Sequence, residues 1–137
     1  MSLFSAFRIA GSGATAQGQR LNVVASNLAN ADSAAGPDGQ TYRARQVVFE
    51  SVQADNAAPG VSGVRVSQVT TDTSPLRRQH DPKHPLADGE GYVSLPNVSV
   101  ADEMVNMISA ARAYENNIEV MNTARSLLQK TLQLGNS

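Results

Sequence analysis

The chain has no cysteine and few aromatic residues, and these absences exclude several classes of protein. Without cysteine there can be no disulfide, no thiolate nucleophile and no cysteine-ligated zinc site. Aromatic residues make up 4% of the sequence and the net charge is −1, so the stacking platforms and the basic surface of a nucleic-acid binder are missing. No run approaches the length of an apolar membrane span, and we expect no transmembrane helix.

The N-terminal sequence also lacks the features of a cleaved secretory signal. MSLFSAFRIAGSGATA has no basic n-region, and Arg8 interrupts its apolar stretch. The sequence therefore predicts a protein that stays in the cytosol or leaves it by a route without a cleaved signal.

One segment could carry catalysis or a metal, and its sequence disfavours both. HDPKHPLADGEGY, residues 80–92, contains both histidines. His80 and His84 would converge on a metal only in a helix, and Pro82 and Pro85 make a helix improbable. The glycines near residue 12 are not followed by the Gly-Lys-Ser/Thr of a phosphate-binding loop. We predict no catalytic, cofactor-binding or metal-binding residue, and hence no enzyme.

The longest periodic stretch is residues 99–134, which contains no glycine or proline. Ser99 is placed as a helix N-cap, with acidic residues in the following turn. A first apolar line follows alternating three- and four-residue steps, which Arg125 alone interrupts: Met104, Met107, Ala111, Tyr114, Ile118, Met121, Leu128 and Leu132. A second apolar line recurs every seven residues on another face: Ala113, Val120, Leu127 and Leu134. One partner helix cannot cover both lines, so this helix is expected to lie among several chains.

Residues 3–31 repeat this arrangement and form the natural partner of the C-terminal helix. The first line of this segment consists of Leu3, Phe7, Ala10, Ala14, Leu21, Val24, Leu28 and Ala31. The second line, on the far side, consists of Ile9, Ala16 and Val23. We assign both second lines to contacts between subunits.

The middle of the chain favours short strands. Residues 42–52 and 61–70 read as strands, and the spacing of Val64, Val66 and Val69 suggests one bulge. Tyr92 to Leu95 reads as a last strand. The predicted fold class is α+β: a helix in residues 1–31, a loop in 32–41, a small β-rich domain in 42–96 and a helix in 97–137.

Several motifs resemble the bacterial flagellar axial proteins, which form the rod and hook. Closing the first helix is the signature Ser26, Asn27, Leu28, Ala29 and Asn30. GPDGQTYRARQVVF at 36–49, GYV at 91–93 and ARSLLQKTL at 124–132 match the proximal rod members of that family. The most specific run is DPKHPLAD, which begins with Asp81, Pro82, Lys83, His84, Pro85 and Leu86.

The resemblance implies a non-enzymatic subunit of the flagellar basal-body rod, the periplasmic drive shaft that transmits motor torque to the hook. It implies that the terminal helices pair as an antiparallel coiled coil in an inner layer. It also implies export by the flagellar type III apparatus, and assembly in a helical array with copies of itself and with FlgB, FlgF, FlgG and FliE. No cofactor, nucleic acid or membrane span is expected. The alternative is a soluble coiled-coil adaptor or secretion chaperone, which would also use heptads but would not need the second apolar lines.

Overall fold

Two long helices enclose two short β-ribbons in sequence order. The computed structural model describes residues 2–35, 39–53 and 58–136. The elements are α1 (Leu3–Ala29), β1 (Arg45–Gln53), β2 (Ser62–Thr71), β3 (Arg77–His80), β4 (Tyr92–Leu95) and α2 (Val100–Gly135). The chain is therefore α+β, as its sequence predicts.

Both helices begin at serine caps. The Ser2 hydroxyl accepts a hydrogen bond from the backbone N–H of Ser5, and Ser99 accepts one from the N–H of Asp102. These bonds satisfy backbone donors that have no partner within the helix. The predicted N-cap at Ser99 is thus confirmed. The first helix ends at Ala29, slightly before the predicted limit, and Asn30 caps its C-terminus.

The first ribbon pairs β1 and β2 antiparallel with one irregularity. Val48 pairs with Gln68 and Phe49 pairs with Val66, so Ser67 has no counterpart. This is the bulge that the valine spacing predicts. Gly60, in the turn before β2, has a φ of 86° that favours glycine. Part of the predicted loops, residues 36–38 and 54–57, lies outside the described residues.

The second ribbon pairs β3 with β4. Tyr92–Leu95 has the predicted bounds, whereas β3 was not predicted as a strand. Its sequence, RRQH, has no apolar alternation, and all four residues are exposed. Such a strand is specified by its pairing partner, which local pattern does not show. In place of one compact β element, the described residues contain two separate two-stranded ribbons.

A small core holds the ribbons near one end of the helix pair. Ala31, Ala44 and Val98 are buried together, and Tyr42 packs against them. Arg77 donates hydrogen bonds to the carbonyl oxygens of Pro96 and Ala31, which ties the second ribbon to this core. Across the described residues, neither helix is long and apolar enough to cross a membrane.

Candidate assembly surface

Small residues bring α1 and α2 into close antiparallel contact. A Cβ atom at Gly13 would lie 2.7 Å from Oδ1 of Asn117, and one at Gly11 would lie 3.6 Å from Cε of Met121. Ala110 has no exposed surface. Since a glycine or alanine projects so little, the two backbones approach closely and large side chains are displaced from the contact.

The side of α2 that faces α1 differs from its predicted first line. Its most buried positions are Glu103, Ala110 and Ala124, and half-buried Asn117 continues the same seven-residue step. Met107, Met121 and Leu128 of the predicted line are half-buried beside them, as are Ala111 and Ile118. Met104 and Leu132, in contrast, are 55% and 68% exposed, and Tyr114 is 39% exposed.

The prediction missed the inward positions because it favoured large apolar residues over small and polar ones. At the position where Arg125 interrupts the predicted line, the inward residue is the neighbouring Ala124. An alanine at a close helix crossing buries little area itself but permits the contacts of both backbones. Glu103 and Asn117 are polar, and so no apolar pattern could have placed them on the inner side.

On α1, the first apolar line lies on the inward side. The second apolar line is covered by the hairpin that β1 and β2 form within the same chain. Ala10, Ala14 and Val24 are buried, while the remaining described members of the first line within the helix are half-buried: Leu3, Phe7, Leu21 and Leu28. Ala16 is only 2% exposed, so its assignment to a contact between subunits is wrong.

The second line of α1 is covered by residues of β1 and β2 and not by a neighbouring subunit. Ala16 lines one cleft with Val64 and Val66, Ile9 lines another with Val52, and half-buried Val23 lines a third with Val47. Both β1 and β2 contact α1.

The hairpin is anchored to α1 by a close contact at Ser12. The Ser12 hydroxyl donates to the carbonyl oxygen of Ile9 and accepts from the N–H of Val64. A Cβ at Gly63 would lie 2.8 Å from that hydroxyl oxygen. The glycine therefore allows β2 to sit directly on the helix.

Asn27 joins α1, α2 and β1 through a buried hydrogen-bond network. Its Oδ1 accepts from the Tyr42 hydroxyl at 2.6 Å and from the Arg45 N–H at 3.0 Å. Its Nδ2 donates to the Arg45 carbonyl oxygen at 2.8 Å and to Oε2 of Glu103 at 3.1 Å. Asn27 has no exposed surface, and all four hydrogen-bonding positions of its amide are occupied.

The rest of the signature at the end of α1 supports this junction. The Ser26 hydroxyl lies 3.0 Å from the Tyr42 hydroxyl, and Nδ2 of Asn30 donates to the Ser26 carbonyl oxygen. Leu28 is half-buried and Ala29 is exposed. Sequence reasoning included Asn27 through the family resemblance alone, because the partner at Glu103 is distant in the chain.

The loop between β3 and β4 contains the DPKHPL run, and Asp88 organises its end. Oδ1 of Asp88 accepts from the N–H groups of Glu90 and Tyr92, while Oδ2 accepts from Arg78. The hydrogen bond from the Tyr92 N–H is the main cause of a lowered Asp88 pKa, to which Arg78 also contributes. Gly91 has a φ of 83°, which lets the loop turn into β4.

The two histidines make local contacts in this ribbon. His80 packs edge-on against the Tyr92 ring with 4.9 Å between centroids, and Nδ1 of His84 accepts from the Leu86 N–H. Asp81 donates its backbone N–H to the Gly91 carbonyl oxygen, while Pro82, Lys83 and Pro85 are exposed. In the residues that the structure describes, no three histidine or acidic side chains converge as a metal site would require.

Several large apolar side chains of α2 stay exposed. Val120 is 49% exposed and Leu127 is 45% exposed, and Ala113 on the same line is half-buried. Leu134, near the end of the helix, is also exposed. Met104, Val105 and Ile108 add to this apolar surface near the start of α2. Exposed apolar side chains such as these are candidates for burial in a protein–protein interface.

Known proteins resemble the chain over its whole length. The family model "Flagella basal body rod protein" matches residues 7–37, and "Flagellar basal body rod FlgEFG protein C-terminal" matches residues 90–134.

The chain is 58% identical over 137 residues to the flagellar basal-body rod protein FlgC of Yersinia enterocolitica, covering 98% of this chain and 99% of that protein. The FlgC of Escherichia coli O157:H7 is 56% identical over 137 residues, with 98% and 99% covered. The FlgC of Borreliella burgdorferi is 39% identical over 149 residues, with 98% of each chain covered. The two family models match the two helices that form the packed pair, and the relatives match the chain from end to end: it belongs to the FlgC family of flagellar basal-body rod proteins.

Proposed function

We infer that this chain is a non-enzymatic structural subunit of the flagellar basal-body rod. The observation that carries this function is full-length identity to rod proteins, and that family is structural rather than catalytic. Nothing in these relatives supports the alternative of an adaptor or secretion chaperone.

The terminal helices form the assembling part of the subunit. In this proposal, residues 1–31 and 97–137 pair as an antiparallel coiled coil in the inner layer of the rod. The contacts from Gly11–Met121 to Asn27–Glu103 support an antiparallel arrangement. Residues 32–41 connect this layer to the outer β-rich domain in residues 42–96.

Neighbouring subunits cover the apolar residues that α2 leaves exposed. Ala113, Val120, Leu127 and Leu134 would contact copies of this chain and other rod proteins, for which FlgB, FlgF, FlgG and FliE are the candidates. Ile9 and Val23 would be peripheral to such contacts because they are already half-buried within the subunit. A heterologous contact that does not close generates a helical array, which is the geometry a shaft needs.

The rod would lie in the periplasm and transmit torque to the hook, after the subunits pass through the flagellar type III apparatus without losing a signal peptide. Many lateral contacts along the roughly 54 Å of α2 would share the load, at about 1.5 Å of helix per residue.

Replacing Val120 with aspartate tests the assembly role. Val120→Asp would place a carboxylate in an apolar contact, at a cost of several kcal/mol unless it is paired or protonated. We expect the chain to be made and exported, but to be depleted from purified basal bodies, with loss of swimming.

Gln129→Glu is the matched control, because it adds the same charge to α2 at an exposed polar position. It should incorporate normally. Equal incorporation of Val120→Asp and Gln129→Glu would show that the exposed apolar line of α2 is not an interface. Absence of the unmodified chain from basal bodies would contradict the proposed function itself.

A further inference from the structure

A cavity with two arginines lies where α1, α2 and β1 meet. Its volume is about 210 Å³, and Arg20, Arg45 and Glu103 are among the residues that line it. Glu103 is buried and its Oε2 accepts from Asn27. The lining residues include two arginines and one glutamate, so their net formal charge is +1 and favours an anionic group. The Arg45 guanidinium also lies 5.6 Å from the centroid of the Tyr42 ring.

Arg20 has unused capacity to donate hydrogen bonds. Within the described residues, its guanidinium reaches only Oε1 of Gln17 at 3.5 Å and Oδ1 of Asn106 at 3.4 Å. Both are long, and neither acceptor is charged. A guanidinium carries five N–H donors, and a carboxylate is the acceptor that matches their geometry.

A pair of carboxylates on the outer side of α2 forms no ion pair within the described residues. Glu115 and Glu119 are exposed and stand one turn apart on α2. Neither belongs to any of the ion pairs formed by the part of the chain that the structure describes. Asn117 faces α1, and at about 100° per residue both glutamates project roughly 160° away from it. Like charges at this spacing destabilise an isolated helix by a few tenths of a kcal/mol, so a cation from outside would relieve them.

We propose that the Arg20–Arg45 cavity binds the Glu115–Glu119 pair of a neighbouring copy of this chain. The positive site and the negative pair lie on different faces of one molecule, so the contact is heterologous and repeats from copy to copy without closing. This inference rests on the proposed assembly function and names one contact within it. The charged groups would set the register between copies, while burial of the apolar line of α2 would stabilise the contact.

Cross-linking between copies tests this contact, and the absence of cysteine makes the test specific. The cysteines are placed beside the charged groups, so that the groups themselves remain: one chain carries Gln46→Cys, at the edge of the cavity, and another carries Asn122→Cys, one turn from Glu119 on α2. Cells express both chains, and isolated basal bodies are treated with a short bismaleimide. A disulfide would be too short, because it requires Cα atoms within about 7 Å and an arginine–glutamate pair holds them farther apart. We expect a cross-linked dimer of this chain only when both cysteines are present.

In the control, the second chain carries Gln129→Cys in place of Asn122→Cys, which moves the cysteine farther along α2. A dimer that is no more abundant than in this control, or a cross-link from Gln46→Cys to a different rod protein, would overturn the proposal while leaving the chain a rod component. Absence of the unmodified chain from basal bodies would instead remove the proposed function on which the contact rests.

Neutralising the glutamates provides a second test that does not threaten folding. The double substitution Glu115→Gln and Glu119→Gln removes a like-charge repulsion from exposed positions, so the helix should be as stable as before or more stable. We expect incorporation into basal bodies to fall nonetheless. The matched control is Glu90→Gln, an exposed glutamate in the ribbon loop. Incorporation of the double variant at the control level would refute the contact.

Discussion

Substitution of Gly13 by alanine should weaken the helix pair, although it improves helix propensity. The added Cβ would lie 2.7 Å from Oδ1 of Asn117 and 2.9 Å from its Cγ and Nδ2, so the whole amide would have to move. That movement would also break the 2.8 Å hydrogen bond from Nδ2 to the Ala113 carbonyl oxygen. Overpacking costs about 1–3 kcal/mol and the hydrogen bond contributes about 1 kcal/mol, against a propensity gain of about 1 kcal/mol. The expected net loss of stability is about 1–3 kcal/mol.

Gly11 provides the matched control on the same helix. A Cβ there meets Cε of Met121 at 3.6 Å, which is ordinary van der Waals contact. Gly11→Ala should therefore change the free energy of unfolding only through helix propensity. It should stabilise the chain by up to about 1 kcal/mol. Urea unfolding of each purified variant, followed by far-ultraviolet circular dichroism, measures the difference. Equal effects of the same sign at Gly11 and Gly13 would refute the close approach of the helices at Asn117.

Three further predictions concern the polar junction and the ribbon loop. Asn27→Ala should lower the free energy of unfolding by about 2–4 kcal/mol, because it leaves several buried partners unpaired, whereas Asn22→Ala at an exposed position should have little effect in the same urea titration. Asp88 has a lowered pKa, so its contribution is present above the unfolded value near 4 and is lost as the pH falls through the lower folded value. Asp88→Asn should therefore speed amide exchange in the loop at neutral pH, and the difference from the unmodified chain should vanish in strong acid. Replacing His80 and His84 together with asparagine should leave swimming nearly intact, and lost swimming with a folded chain and a bound metal ion in the unmodified protein would contradict this.

Local features of the fold were readable from the sequence because each depends on residues close together in the chain. The cap at Ser99 needs only the first turn of α2, and the bulge at Ser67 follows from the spacing of three valines. Strand β3 was not readable, because four exposed polar residues become a strand only when Tyr92–Leu95 pairs with them. Asn27 likewise gains its role from Glu103, far away in sequence.

The composition of the helix contact explains why the first apolar line of α2 was predicted only in part. Periodicity assigns the inner face to the line with the largest apolar side chains, which is correct where burial area decides the packing. Here the close approach at Gly13 and Ala110 decides it, and small residues carry little weight in an apolar pattern. Rotating the inner face toward those residues leaves Met104 exposed and turns Glu103 inward.

The two helices consequently divide the apolar surface unequally between folding and assembly. On α1, the hairpin covers the second line, so Ala16 stabilises the subunit and is unavailable to a neighbour. On α2, Val120 and Leu127 have no such cover, and a neighbour that buries them gains roughly 25 cal/mol for each Å² of apolar surface removed from water. A contact of this kind is non-directional and would tolerate sliding along a smooth helix. A shaft that carries torque requires a fixed register, and the contact proposed between the Glu115–Glu119 pair and the Arg20–Arg45 cavity would supply it.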